Sequence, residues 1–216
     1  MLSICIVHSA RSVYLLRGRR YELFPRCVRS LNEATASITE PVELVVADWP
    51  GIFNPAPLKT WLWELCRIPV RIVEMSGEFN KGLGCNRAAA ASQGDVLFFC
   101  DCDMLVPAEV ITRGLLYARA SKAWFPGYVA QQGADSDVYK PPKTPGTGNA
   151  FMPAWLFREI GPWPEKTTWG KFDRPYSTRI EQLGHSAEPI ATRKPVDGFV
   201  HIWHPKYMGW KREPSR

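Results

Sequence analysis

Two acids separated by one residue, Asp101 and Asp103, close the run VLFFCDCD. At the end of a strand, where the chain turns, both carboxylates can approach one bound cation. Carboxylate oxygens suit Mg²⁺ or Mn²⁺, ions commonly shared with the phosphates of a ligand. In an open α/β sheet, ligands bind beyond the carboxyl ends of the strands, which is where such a pair would stand. A DxD triplet on its own is weak, and the competing reading is two solvated turn residues. Its place after an apolar run gives it weight. Far along the chain, His201 and His204 share the short segment HIWH. A strand turns i and i+3 to opposite faces, so the two act together only if the chain bends, and Pro205 favours a bend.

The elements around these residues form an alternation. LSICIV is a short apolar run that reads as a buried strand. From Tyr21 to Ala36, Leu23, Cys27, Val28 and Leu31 recur at helical spacing. VELVVAD, ending at Asp48, is a second strand, Pro55 to Cys66 a second helix, and VRIVEM a third strand. Lys81 to Gln93 carries Ala88 to Ala91, a strong helix former, and Gly94-Asp95 then leads into VLFFCDCD. Apolar strands alternating with helices predict an α/β fold whose mainly parallel central sheet is flanked by helices on both faces. The second half differs. Gln131 to Asn149, with PPKTPGTGN, predicts a long loop. AWLFREIG and YSTRIEQLG predict short helices ended by Gly161 and Gly184, and Phe199 to His204 a late strand.

Composition bounds the class. The 216 residues suffice for one sizeable core, and 45% hydrophobic with 22% charged residues is ordinary for a globular protein, so disorder does not dominate. The net charge is +6 and uneven, with Arg11, Arg17, Arg19, Arg20, Arg26 and Arg29 crowding the first thirty residues. Such a start could meet nucleotide phosphates, nucleic acid or an anionic membrane surface, or be a solvated helix face. The six cysteines show no CxxC pairing, and three lie in apolar runs, as buried free thiols do. No signal peptide or transmembrane stretch is visible, so a reduced, cytoplasmic setting is expected.

The segment FNKGLGCNRAAAASQGDVLFFCDCD, from Phe79 to Asp103, resembles the stretch before the DxD of family-2-like glycosyltransferases with the GT-A (Rossmann-like) fold. A Gly-rich loop, an Asn, an Ala-rich helix, Gly-Asp, an apolar strand and the acids occur in that order. Gly82 and Gly84 let the backbone lie close to a ligand, while Asn86 and Arg87 can reach its polar groups. The resemblance implies further donor contacts at the end of the first strand, His8, Ser9 and Ala10, and at Asp48, Asn80, Asp101 and Cys102. Asp48 could equally be a turn former. GNAFMPAWLFREIGPWPE resembles the acceptor side of the family, and WGKFDRPYSTRIEQLG the Trp-Gly…Glu-Asp stretch of the galactosyltransferase C-terminal region. Asp173 matches the second acid of that motif and would be the general base, with a helix N-cap as the competing role. Phe172 replaces the first acid. A C-terminal His joins the metal in the related enzymes; His204 fits best and His201 is a second contributor.

The resemblance thus implies residues 1–105 as a nucleotide-sugar-binding half and 106–216 as an acceptor-binding half of one domain. The activity it implies is a metal-dependent hexosyl transfer, with Mn²⁺ or Mg²⁺ held by Asp101, Asp103, His204 and His201. The donor would be a nucleotide sugar, a UDP-sugar by preference, and the acceptor a hydroxyl, with inversion. Two other readings are a sugar-nucleotidyltransferase and a non-catalytic basic protein that binds nucleic acid or carbohydrate. The first expects a basic Gly-rich signature after the first strand, where SARSVYLLRGRR has a single Gly. The second accounts for the arginines but not for the ordered acids and HIWH.

Overall fold

Strand β1 (Leu2–Ser9) shows why the central sheet is covered on both sides. Ile4 and Ile6 point into one apolar cluster and Cys5 and Val7 into another, all of them buried. A strand with two buried faces must be apolar throughout, which is what LSICIV is. The structure is a computed structural model that describes residues 1–9, 13–16, 19–50, 58–142, 147–165 and 173–204.

After β1 come a hairpin of β2 (Val13–Leu16) and β3 (Arg19–Glu22), helix α1 (Phe24–Thr35) and β4 (Val42–Trp49). Helix α2 (Leu58–Leu65), β5 (Val70–Glu74), α3 (Lys81–Ala91) and β6 (Val96–Asp101) complete the first half. The second half holds β7 (Met104–Leu105), α4 (Ala108–Arg119), β8 (Gly127–Gln131), β9 (Tyr139–Lys140), β10 (Ala150–Pro153), α5 (Ala154–Ile160), α6 (Asp173–Gln182) and β11 (Pro195–His201). The main sheet runs β10-β6-β1-β4-β5, parallel except for β10. The chain builds outward from β1 to β5, then crosses back through α3 to place β6 on the other side of β1. The carboxyl ends of β1 and β6 therefore flank the switch point where such sheets bind ligands.

Two departures from the sequence reading have plain causes. Part of the arginine-rich stretch forms the β2–β3 hairpin, and α1 begins at Phe24, with Pro25 in its first turn, rather than at Tyr21. The expected loop from Gln131 contains β9, which pairs with β8 through Gln131 and Ala130. Helix α4 has Glu109 in its first turn and Arg119 in its last, matching the helix dipole. Its Gly114 packs against Phe151 of β10, where an added Cβ would lie 2.3 Å from the ring. Phe151 in turn stacks on Phe98 of β6 with centroids 3.9 Å apart. The second half thereby shares the core of the first.

A smaller sheet, β7-β11-β8-β9, sits after the turn that ends β6. In it β11 runs antiparallel to β7 and parallel to β8, with Val200 opposite Leu105 and His201 opposite Met104. This pairing joins the end of the chain to the acids.

Candidate active site

Strand β6 ends at Asp101, and the chain turns through Cys102 and Asp103 into β7. The two carboxylates thus stand at the seam between the sheets, with different surroundings. Lys81, the first residue of α3, donates to Oδ1 of Asp101. The Asp101 amide donates to Oδ1 of Asn149 at 2.8 Å, and Asn149 is buried. Asp103, only 5% exposed, faces two imidazoles: its Oδ2 lies 3.2 Å from Nε2 of His204 and 3.6 Å from Nε2 of His201.

The two histidines meet because β11 stops at His201. The Ile202 amide donates to the Asp103 carbonyl at 2.8 Å, and the next two residues leave the strand, so His204 returns to the same carboxylate. The anticipated bend is present before Pro205, which itself lies outside the described residues. Donor atoms of Asp103, His201 and His204 all lie within 4.8 Å of one another and could hold a metal ion. Of the two expected ions, Mn²⁺ accepts imidazole nitrogen more readily than Mg²⁺, which favours oxygen. Asp101 stands outside this cluster.

The other expected donor residues divide between rim and scaffold. His8 has no exposed surface; its Nδ1 is 2.7 Å from Oδ1 of Asp48, and its ring stacks on Phe24 at 4.8 Å. It supports Asp48 from behind, and Ser9, half-buried, is the more accessible of the two at the end of β1. Asn80 caps α3 by accepting from the Leu83 amide at 3.0 Å. Gly82 allows α3 to meet the backbone of Pro164, where a Cβ would lie 2.2 Å from the carbonyl oxygen. Asn86 donates to the Trp163 carbonyl at 3.0 Å and to Glu165 at 2.9 Å, and accepts from the Trp163 amide at 2.8 Å. Much of the Gly-rich stretch therefore binds α3 to residues 163–165. Arg87 is exposed on α3, and Cys102 is buried in the turn. Ala10 and Phe172 lie outside the described residues.

Asp173 is the first residue of α6 and half-buried. Its Oδ1 accepts from the Arg174 amide at 3.0 Å and its Oδ2 from the Thr147 amide at 3.3 Å. Thr147, Gly148 and Asn149 are consecutive, and a Cβ at Gly148 would lie 3.1 Å from Oδ2 of Asp101. Three residues thus join the acid of β6 to the acid of α6.

Lys81, Asn149, Tyr128 and Arg193 were not singled out by motif. The Asp101 carboxylate holds the Lys81 ammonium above the ordinary lysine range, although burial, the largest influence, opposes this. Burial, then Asp101 and Asp103, push the Tyr128 hydroxyl up. Burial lowers the Arg193 guanidinium, with Tyr128 and Asp173 acting the other way, and its Nη1 donates to the Phe125 carbonyl at 3.0 Å. A lysine directly after a helix-capping Asn, and an Asn closing a Gly-rich loop before a strand, were the available clues. Burial pushes the Cys85 thiol up to about 12, so it is not poised as a nucleophile.

Sheet order, switch point and acid-bearing strand end together give this chain the GT-A glycosyltransferase fold. Among solved structures it is similar to the mannosyltransferase PcManGT of Pyrobaculum calidifontis in complex with GDP-Man and Mn²⁺, with a TM-score of 0.63 at 16% identity, covering 96% of this chain and 58% of that one. It is also similar to S. aureus TarS 1-349 in complex with UDP-GlcNAc, with a TM-score of 0.55 at 14% identity over 83% and 52% of the two chains. In sequence it is 27% identical over 167 residues to mouse chondroitin sulfate N-acetylgalactosaminyltransferase 2, and 28% identical to the human protein. That match covers 67% of this chain, which spans 30% of the length of those curated relatives. No family model matches the chain. Among the described residues no helix is long and apolar enough to cross a membrane.

Proposed function

We propose that this chain is a metal-dependent glycosyltransferase that moves a sugar from a UDP-sugar to an acceptor hydroxyl, with inversion at the anomeric carbon. The observation that carries this reading is the convergence of Asp103, His201 and His204 beside Asp101 at the carboxyl end of β6. A divalent ion, Mn²⁺ by the donor set, would be held by Asp103, His201 and His204 and supplies positive charge opposite the diphosphate that departs. The complexes of PcManGT with GDP-Man and Mn²⁺ and of TarS with UDP-GlcNAc support a nucleotide-sugar donor. TarS favours uridine, and PcManGT makes guanosine the competing base.

The chain's own residues divide the remaining work. The donor lies across the ends of β1, β4 and β6, against Ser9, Asp48 and the Asp101–Cys102 turn, with Arg87 on its margin. His8, Asn80, Gly82 and Asn86 hold these elements in place. Asp173 takes the proton of the acceptor hydroxyl as its oxygen bonds to the anomeric carbon. The glycosidic bond breaks with its electron pair leaving on the diphosphate. The Thr147 amide aims the Asp173 carboxylate, and the link through Asn149 keeps it in register with Asp101. Attack from the side opposite the leaving group gives inversion.

The test is a thermal-shift panel of UDP, GDP and their sugars, with Mn²⁺, with Mg²⁺ and with chelator. A rise in melting temperature with UDP or one UDP-sugar, present with Mn²⁺ and lost with chelator, is expected, because a ligand of the native state stabilises it by mass action. No shift with any nucleotide in either metal would overturn the donor site.

A further inference from the structure

Tyr128, on β8, carries a hydroxyl that the fold does not use. The side chain is half-buried, and among the described residues its hydroxyl has no hydrogen-bond partner. The ring is firmly seated all the same. It meets Phe199 edge-on, with centroids 6.2 Å apart and planes at 88°, and lies beside His201 at 6.0 Å. The start of β8 is held close to the segment before β11. A Cβ at Gly127 would lie 2.4 Å from the Lys194 carbonyl oxygen, and Arg193 donates to the Phe125 carbonyl at 3.0 Å. Phenylalanine at 128 would keep all of these contacts. A polar group drawn out of water with no partner costs stability, so the hydroxyl calls for a reason outside the fold.

Its surroundings say what could meet it. Burial has the largest part in pushing the phenol up, the Asp101 and Asp103 carboxylates add to it, and the Arg193 and Lys81 charges oppose. The hydroxyl therefore stays neutral and can both donate and accept. Arg193 in turn is influenced by Tyr128 and by Asp173. Across the site the order is the two neighbouring acids, then Tyr128, then Arg193, then Asp173 at the start of α6. The proposed reaction runs in the same order: diphosphate at the metal rim, the sugar it carries, and the acceptor at Asp173. A neutral group beside His201, and outside the cluster of Asp103, His201 and His204, faces the sugar rather than the metal. Sugar hydroxyls donate and accept, and a phenol matches them in both senses.

This inference rests on the proposed function: we infer that Tyr128 is a contact of the transferred sugar, its hydroxyl hydrogen-bonding a hydroxyl of the hexose. Phe199 and His201 hold the ring, so the bond is offered at one fixed place. The nucleotide and the metal do not depend on it. Removing the hydroxyl should therefore weaken the grip on the sugar alone, by about three- to tenfold, the worth of one neutral hydrogen bond.

Isothermal titration of wild type and Y128F at saturating Mn²⁺ reads this without an acceptor. The ligands are UDP and GDP, then UDP-glucose, UDP-galactose, their N-acetylated counterparts and GDP-mannose. Y128F keeps the ring, so it should melt no lower than wild type and bind Mn²⁺ and the bare nucleotide unchanged. The nucleotide sugar that wild type binds best should lose affinity. A merely structural tyrosine would lower the melting temperature, or weaken nucleotide and nucleotide sugar together, and either outcome overturns the inference. So does a nucleotide-sugar affinity that Y128F leaves unchanged, which removes the role of Tyr128 but keeps the donor site. Wild-type protein that binds neither UDP nor GDP would overturn the donor reading and this inference with it.

Discussion

The rim supplied by the main sheet and the rim supplied by the small sheet do opposite things with their charges. On the main sheet, Asp101 has Lys81 and Asp48 has His8, so each acid has an internal partner. On the small sheet, Asp103, His201 and His204 gather groups that offer lone pairs to the same point. The first arrangement holds a shape; the second could hold a cation. Their structural supports differ too. The main-sheet rim hangs on long parallel ladders, six paired positions between β1 and β6 alone. The small-sheet rim rests on shorter ladders, β11 pairing with β7 at Val200–Leu105 and His201–Met104 and with β8 at Val200–Val129 and His201–Ala130. Metal binding should therefore be the more fragile property, and donor geometry the more robust one.

The largest break comes at Asp103. Asp103→Ala removes the carboxylate that both imidazoles face but keeps the carbonyl that accepts from Ile202. Stability should change little, Mn²⁺ binding should vanish from calorimetry, and transfer should fall by on the order of ten-thousandfold, since a bound metal is worth several kcal/mol of barrier. Retained metal-dependent activity would show the ligand set to be elsewhere. Asp173→Asn ranks next. It keeps the α6 N-terminus and an acceptor for Thr147, so kcat should fall by about a hundred- to a thousandfold, while UDP and Mn²⁺ bind as in wild type. An equal loss of UDP binding would make Asp173 a structural cap instead.

The same contrast explains what was legible in the sequence. The strands and helices of the main sheet are readable because burial on both faces writes continuous apolar runs, and the acids stand where β6 must end. Of the small sheet only β11 was legible, as the run from Phe199; short strands such as the exposed Tyr139–Lys140 are paired by tertiary contacts and leave no period. Helix α4 carries a helical pattern in Val110, Ile111, Leu115 and Ala118, but Gly114 in its middle disguises it, and the reason for that glycine is Phe151, distant in sequence. Within the site, Asp103 with His201 and His204 could be anticipated as chemistry, and so could a bend near Pro205, though not the pairing of β11 with β7 that carries the histidines to Asp103. For Lys81 the sequence offers only its place after a capping Asn; its partner lies twenty residues away and only the fold makes them neighbours. Asn86, a donor contact by motif, also bonds Trp163 and Glu165, partners that only the fold brings to it.

Two buried phenylalanines can sharpen the comparison at equal chemical cost. Phe98 of β6 and Phe199 of β11 are both fully buried, and truncation of either to Ala should cost about 3–5 kcal/mol in urea unfolding. Phe199→Ala should also weaken Mn²⁺ binding of the folded protein, because β11 presents His201. Phe98→Ala should leave Mn²⁺ affinity unchanged in conditions where it is folded. Equal Mn²⁺ affinities in both variants would mean that the metal rim does not rest on β11 packing.

The smallest expected effect lies away from both rims. Glu188 accepts from Arg113 at 3.0 Å and Tyr117 at 2.7 Å through one oxygen, and from Trp124 Nε1 at 3.2 Å through the other. Burial acts to raise its pKa, but the Tyr117 and Trp124 hydrogen bonds and the Arg113 charge outweigh it and hold the carboxyl below its usual range. A carboxylate with a depressed folded-state pKa contributes stability that is complete above its unfolded value and is lost as pH falls through the folded one. Glu188→Gln should therefore destabilise by about 1–2 kcal/mol at neutral pH, since it exchanges charged for neutral hydrogen bonds. The gap to wild type should close in acid, below the usual glutamate range, when Glu188 itself is protonated. Mn²⁺ affinity should be the same in both proteins, because the clip joins α4 to the segment after α6 and touches neither rim. A gap that persisted unchanged into acid would show that the charge on Glu188 contributes nothing and that shape alone holds the clip.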